Sequence, residues 1–245
     1  MIETVLLAFF AVAFVLLVVF SLWVKLGRTG RLRTQAGPGN LSTLVEHSAE
    51  TGKPLHVSVG VAGVGGPATA ETWAGLTVLK QVAGEAAACD VPLLVTVADP
   101  TVVPLVEDIL QRAHERYDNL QAYDPTQVRY IAPDSTAYAA GTMGMLARQP
   151  MVGSVMIGAL GDEYLLIGET GAQRGVYQVV GTTNPSTLAL VSVTADEMLV
   201  GEEIFAGGAY TSRLPAQIGS LLAEDWLRWL VVAGIVALTI WKALA

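Results

Sequence analysis

Apolar residues are distributed in two ways along this chain. At the two ends they run almost without interruption, and in the middle short apolar runs alternate with longer mixed stretches. Residues 4–24 (TVLLAFFAVAFVLLVVFSLWV) carry no charge over 21 positions. At about 1.5 Å of rise per residue, such a helix reaches about 30 Å, the thickness of a bilayer's hydrocarbon core. Backbone groups in lipid must bond internally, so the segment is expected to be a transmembrane helix. The chain opens Met1-Ile2-Glu3, with no basic residue ahead of the apolar run. That start does not suit a cleaved signal peptide. Near the other end, the uncharged stretch 229–241 covers 13 residues. Snorkelling by Arg228 and Lys242 extends the expected second span to 226–245, with Trp226, Trp229 and Trp241 as interfacial anchors.

The middle reads as an alternation of strands and helices. Residues 25–40 form a basic juxtamembrane linker, flexible over 34–40 (TQAGPGN). The body spans 41–222. Expected strands lie at 56–61, 92–98, 128–131, 152–160, 176–180 and 188–193. Expected helices lie at 68–88, 102–117, 134–147, 162–170 and 196–209. Helices of this length between strands imply parallel pairing, hence a layered, mostly parallel α/β (Rossmann-like) sheet between the two transmembrane helices. Apolar strands such as LLVTV suit a sheet covered on both faces. Asp162-Glu163-Tyr164-Leu165-Leu166 resembles Asp196-Glu197-Met198-Leu199-Val200, which suggests two similar helix starts.

Composition agrees with an immersed protein. Of 245 residues 52% are hydrophobic and only 15% charged, against about 25% charged in an ordinary globular chain. Lys25, Arg28, Arg31 and Arg33 follow the first span and only Glu3 precedes it. Basic flanks stay inside, so the expected topology is N-terminus out, body in the cytoplasm and C-terminus out, in an inner membrane. Between residues 34 and 222 there are 19 acidic and 8 basic residues. That surface repels nucleic acid, and the expected partners are membrane lipid and further copies of the chain or other membrane subunits. The single cysteine, Cys89, excludes an internal disulfide framework.

Two constellations are candidates for chemistry. The loop Gly60-Val61-Ala62-Gly63-Val64-Gly65-Gly66-Pro67-Ala68-Thr69 follows a strand and precedes a helix, where backbone N–H groups can hold phosphate. Gly60, Gly63, Gly65 and Gly66 would shape it, and Asp99 ends the next strand, where a ribose-binding acid sits. Pro67 removes a donor, and no Lys-Ser/Thr pair follows. The second constellation is acidic: Asp162 with Glu169 and Asp196 with Glu203 are each seven residues apart, on one helical face. Glu169, Glu202 and Glu203 are the candidate ligands for a hard cation. Macrodipole compensation accounts equally for Asp162, Glu163, Asp196 and Glu197. His47, His56 and His114 have no metal-ligand spacing. The small-residue runs 139–144 and 206–209 suit close packing, within the fold or between subunits.

The segments Ile157-Gly158-Ala159-Leu160-Gly161-Asp162-Glu163, Gly168-Glu169-Thr170-Gly171 and Gly181-Thr182-Thr183 occur together with a Gly201-Glu202-Glu203 signature. The combination resembles an uncharacterised family of membrane-anchored bacterial and archaeal proteins, carried as a domain of unknown function, over about residues 40–225. The resemblance implies the architecture, and no catalytic residue or cofactor. The leading functional expectation is a membrane-anchored scaffold or accessory subunit, self-associating or docked on a larger complex. The alternatives are a tethered nucleotide- or phosphometabolite-sensing domain and a metal-dependent enzyme.

Overall fold

The computed structural model describes residues 18, 19, 22, 36–201, 203–205, 226, 227, 229, 231, 232 and 235. The chain divides into two units, Met1–Thr34 with Ser212–Ala245, and Gln35–Thr211. In the first, the described residues Val18, Val19, Leu22, Trp226, Trp229, Val231, Val232 and Ile235 are helical and exposed. Apart from these and Leu227, the expected spans lie outside the described residues. Among the described residues no helix is long and apolar enough to cross a membrane.

The second unit is an α/β domain. Its elements are α1 (Ala36–Thr51), β1 (Leu55–Gly60), α2 (Thr69–Ala88), β2 (Leu93–Val97), α3 (Val103–Arg116), β3 (Val128–Tyr130), α4 (Ser135–Arg148), β4 (Gly153–Ala159), α5 (Tyr164–Gln173), β5 (Tyr177–Thr182), α6 (Pro185–Thr194) and β6 (Glu197–Val200). The six strands are parallel, in the order β3-β2-β1-β4-β5-β6. The expected layered parallel sheet is therefore present as a doubly wound one.

Strand alternation sorts the core into two halves. Leu55, Val57, Val59, Val95, Val97, Val155 and Ile157 face α1, α2 and α3 in an apolar layer. Leu94, Met156 and Val180 face α4, α5 and α6. On that second face they share the sheet with buried His56, Ser58, Thr96, Ser154 and Gln178. One side of the sheet is thus hydrocarbon and the other half polar.

Four expectations are corrected. Residues 188–193 belong to α6, not to a strand. Asn184 caps that helix, its side chain accepting from Ser186 N at 3.2 Å, and Pro185 stands in the first turn, where its fixed φ and missing N–H suit a helix start. Residues 196–209 do not form one helix: Glu197–Val200 is the edge strand β6, and helix is described only at 203–205. The resemblance between 162–166 and 196–200 consequently joins a helix start to a strand. Finally, α1 includes residues 36–40 read as linker. Leu41, Leu44, Val45 and Ser48 form a buried stripe at i, i+3, i+4 and i+7 spacing, which holds that helix to the sheet.

Candidate functional site

In a doubly wound sheet, ligands bind beyond the carboxyl ends of the strands where the strand order reverses. Here the reversal lies between β1 and β4. The two strands are drawn together at that point. Ser58 pairs with Met156, but Gly60 pairs with Ala159, so β4 carries one extra residue. Gly60 has φ +88° and Gly158 φ +148°. A Cβ on Gly60 would come within 2.6 Å of Ala159 O, and one on Gly158 would strike Val59 O. Two backbones in contact with positive φ explain glycine at both positions. Val61 N donates to Ala159 O at 2.9 Å and continues the β1–β4 pairing past the extra residue.

The Gly60–Gly66 loop is braced by threonines. Val64 N donates to Thr101 Oγ1 at 3.1 Å, and Gly65 N donates to Thr69 Oγ1 at 2.9 Å. Thr72 Oγ1 donates to Ala62 O at 3.2 Å. Asp99 follows β2 and accepts through Oδ1 from Thr101 N at 2.8 Å and from Thr101 Oγ1. Its carboxylate lies against the Cα of Gly63, in the space a side chain there would need. The structure therefore brings Gly60, Gly63, Gly65, Gly66 and Asp99 to one place, as the spacing suggests. It also spends two loop N–H groups internally, a use no sequence motif announced. The N–H groups of Ala62, Gly63 and Gly66 and the Asp99 Oδ2 atom make no hydrogen bond among the described residues. Donors and a carboxylate acceptor thus stand side by side at the strand ends.

The β4 side is tied separately. Glu163 Oε1 accepts from Gly161 N at 2.8 Å, folding its side chain back over the β4–α5 turn. Thr187 Oγ1 donates to Leu160 O at 3.0 Å and Ser186 Oγ to Asp162 Oδ1 at 3.1 Å, which joins that turn to the start of α6.

Beneath the glycine loop runs a buried polar chain that sequence reading missed. His56 Nδ1 lies 2.7 Å from Ser154 Oγ and Nε2 lies 2.9 Å from Thr96 Oγ1. Tyr138 OH, from α4, is 2.7 Å from both Thr96 Oγ1 and Ser58 Oγ. Ser58 Oγ in turn accepts from Gly60 N at 3.2 Å. With a neutral imidazole every link has one donor and one acceptor. A protonated ring donates from both nitrogens and leaves no buried counter-charge, so burial lowers the His56 pKa to about 3. Burial also raises the Tyr138 pKa, despite its hydroxyl partners. The chain is neutral scaffolding that pins α4 and three strands under the loop.

The acidic candidates do not share this place. Glu169 is exposed on α5 and accepts from Gln173 Nε2 at 2.8 Å. Asp162 precedes α5 rather than sharing a helical face with Glu169. Asp196 accepts from Gln178 N at 2.7 Å ahead of β6, so it shares no helix with Glu203. Glu203 Oε2 accepts from Val200 N at 2.9 Å. Glu202 lies outside the described residues, as does the run 206–209. No group of three or more His, Cys, Asp or Glu able to hold a metal ion occurs among the described residues.

The chain belongs to the family described as "Domain of unknown function (DUF6754)", which matches residues 1–245. No curated protein matches it, and no solved structure does.

Proposed function

For a member of a family without an assigned activity, we propose a membrane-tethered ligand-recognition module. Its doubly wound domain takes a nucleotide-class ligand at the β1–β4 switch point. The observation that carries this reading is the contact of Asp99, beyond the end of β2, with Gly63, beyond the end of β1, the strand at which the order reverses. Asp99 Oδ2 offers an acceptor to a ribose hydroxyl, while the N–H groups of Ala62, Gly63 and Gly66 point phosphate oxygens to the loop. Pro67 and the two internally bonded N–H groups limit the number of phosphate donors. The reading is therefore recognition, with no reaction assigned. Two spans, 4–24 and 226–245, would tether the domain to the cytoplasmic face of an inner membrane. The uncharged run of 4–24 and the exposed helical Val18, Val19, Leu22 and Trp229 support that tether.

The test is calorimetric titration of the full chain in detergent with ADP and with pyrophosphate. Asp99→Asn is expected to weaken ADP at least about tenfold, the worth of a hydrogen bond to a charged group. It should leave pyrophosphate unchanged. Absence of ADP binding to the native chain overturns the reading.

A scaffold role is the second reading, and α6 favours it. Its buried residues are Thr187, Val191 and Thr194, while Val193 is 84% exposed. The helix carries no charge in an acidic domain, and Leu165 and Leu166 of α5 are also exposed. A face of this kind suits a second copy or another membrane subunit. Light scattering of the detergent-solubilised chain tests it: a monomer that co-purifies with nothing contradicts it.

A further inference from the structure

A concavity lies at the β3 edge of the sheet, remote in sequence from the glycine loop. It is an open basin of about 250 Å³ lined by Arg129, Ile131, Gly141, Gly144, Met145, Arg148 and Gln149. Arg129 comes from β3 and Arg148 from the last turn of α4. Neither guanidinium has a hydrogen-bond or ion-pair partner among the described residues. The body has 19 acidic residues against 8 basic ones between 34 and 222, yet no carboxylate lines this basin. Arg148 offsets the α4 dipole at its C-terminus. That accounts for a basic residue there, but not for a second guanidinium on the neighbouring strand.

The floor of the basin carries an independent observation. Gly141 and Gly144 are one turn apart inside α4, and each costs about 1 kcal/mol against alanine in a helix interior. Gly141 has an internal reason: a Cβ there would strike the Ile131 side chain. Gly144 has none of that kind. Beyond its own helix backbone, the described atom within 4 Å of its missing Cβ is Arg148 Nη2, at 3.4 Å, an ordinary contact. A side chain at 144 would therefore project toward the Arg148 guanidinium and not into the core.

We infer that this basin binds a compact phosphate-bearing anion, gripped between the Arg129 and Arg148 guanidiniums over the Gly141–Gly144 floor. Guanidinium forks match phosphate oxygens two at a time. The basin is separate from the proposed nucleotide site: it uses none of residues 60–66 and does not use Asp99.

Arginine-specific modification with phenylglyoxal, read by peptide mass spectrometry on the full chain in detergent, tests the inference. Inorganic phosphate is the probe, with chloride at equal ionic strength as control. Phosphate is expected to slow modification of Arg129 and Arg148 at least about fivefold and to leave Arg116 and Arg174 unchanged. Gly144→Leu should abolish the protection, and Asp99→Asn should preserve it. If Gly144→Leu fails to fold, Arg148→Gln replaces it and should remove protection at Arg129. A second arm uses phosphatidylcholine vesicles with and without phosphatidate. Protection by phosphatidate vesicles alone identifies the same chemistry on a lipid headgroup. Equal modification rates with phosphate, with phosphatidate and with chloride overturn the inference.

Discussion

The Asp99 carboxylate occupies the space into which a side chain on Gly63 would project. One residue is therefore glycine because the other is an aspartate tied in place by Thr101. Replacing Gly63 by alanine must displace the carboxylate or the loop, and overpacking of this kind costs about 1–3 kcal/mol. Gly66 in the same loop has nothing within 4 Å of its missing Cβ. Gly66→Ala is expected to be neutral or to stabilise by a few tenths of a kcal/mol, by restricting the unfolded chain. Urea unfolding of the two full-length variants in detergent checks the contrast, and equal losses would show that Asp99 does not brace Gly63.

His56 makes stability depend on pH, and between pH 7 and pH 5 it does so above the midpoint of ordinary carboxylates. Its folded pKa of about 3 lies below the ordinary 6.5, so below pH 6.5 the unfolded chain binds a proton that the folded chain refuses. The stability this ring contributes is complete above pH 6.5 and is lost as pH falls toward 3, at up to about 1.4 kcal/mol per pH unit. Unfolding free energies at pH 7 and pH 5 should differ accordingly, and His56→Gln should flatten the difference.

Tyr138 holds two buried hydroxyls at once, those of Ser58 and Thr96. Tyr138→Phe leaves both short of a partner and should cost about 1–3 kcal/mol. Thr96→Val breaks the same chain at a shared link. The double variant should therefore lose clearly less than the sum of the singles, which a double-mutant cycle measures. Additive losses would mean that the hydroxyls act independently.

Cys89 is the only cysteine in the sequence and is exposed in the domain. It therefore reports orientation without any engineered change. With the body in the cytoplasm, a membrane-impermeant maleimide should label intact inside-out vesicles and leave right-side-out vesicles unlabelled until they are opened. The reverse pattern would place the body outside.

Much of the architecture is legible in the amino-acid sequence because its strands are short, apolar and bounded by glycine or aspartate. The runs of β1, β2 and β4 are buried along nearly their whole length, as the apolar pattern implies. The failures have physical causes. α6 turns threonines inward and Val193 outward, so its hydrophobic pattern carries no helical period, and only Asn184-Pro185 marks its start. β6 is an edge strand of four residues, too short for alternation to show. At the site, Asp99 and the glycine loop are legible by their positions at strand ends. The His56 chain is not, because its links join residues 40, 42, 80 and 98 apart in sequence. No local motif can reveal such a network, since the parallel register of β1, β2 and β4 and the packing of α4 on them assemble it.

The most direct test of the central claim is amide hydrogen exchange of the full chain with and without saturating ADP. Binding at the strand reversal should slow exchange in peptides covering 60–66 and 99–101 and leave α6 unchanged. Unaltered exchange in both peptides, or slowing confined to other elements, would contradict a ligand site on the Gly63–Asp99 contact.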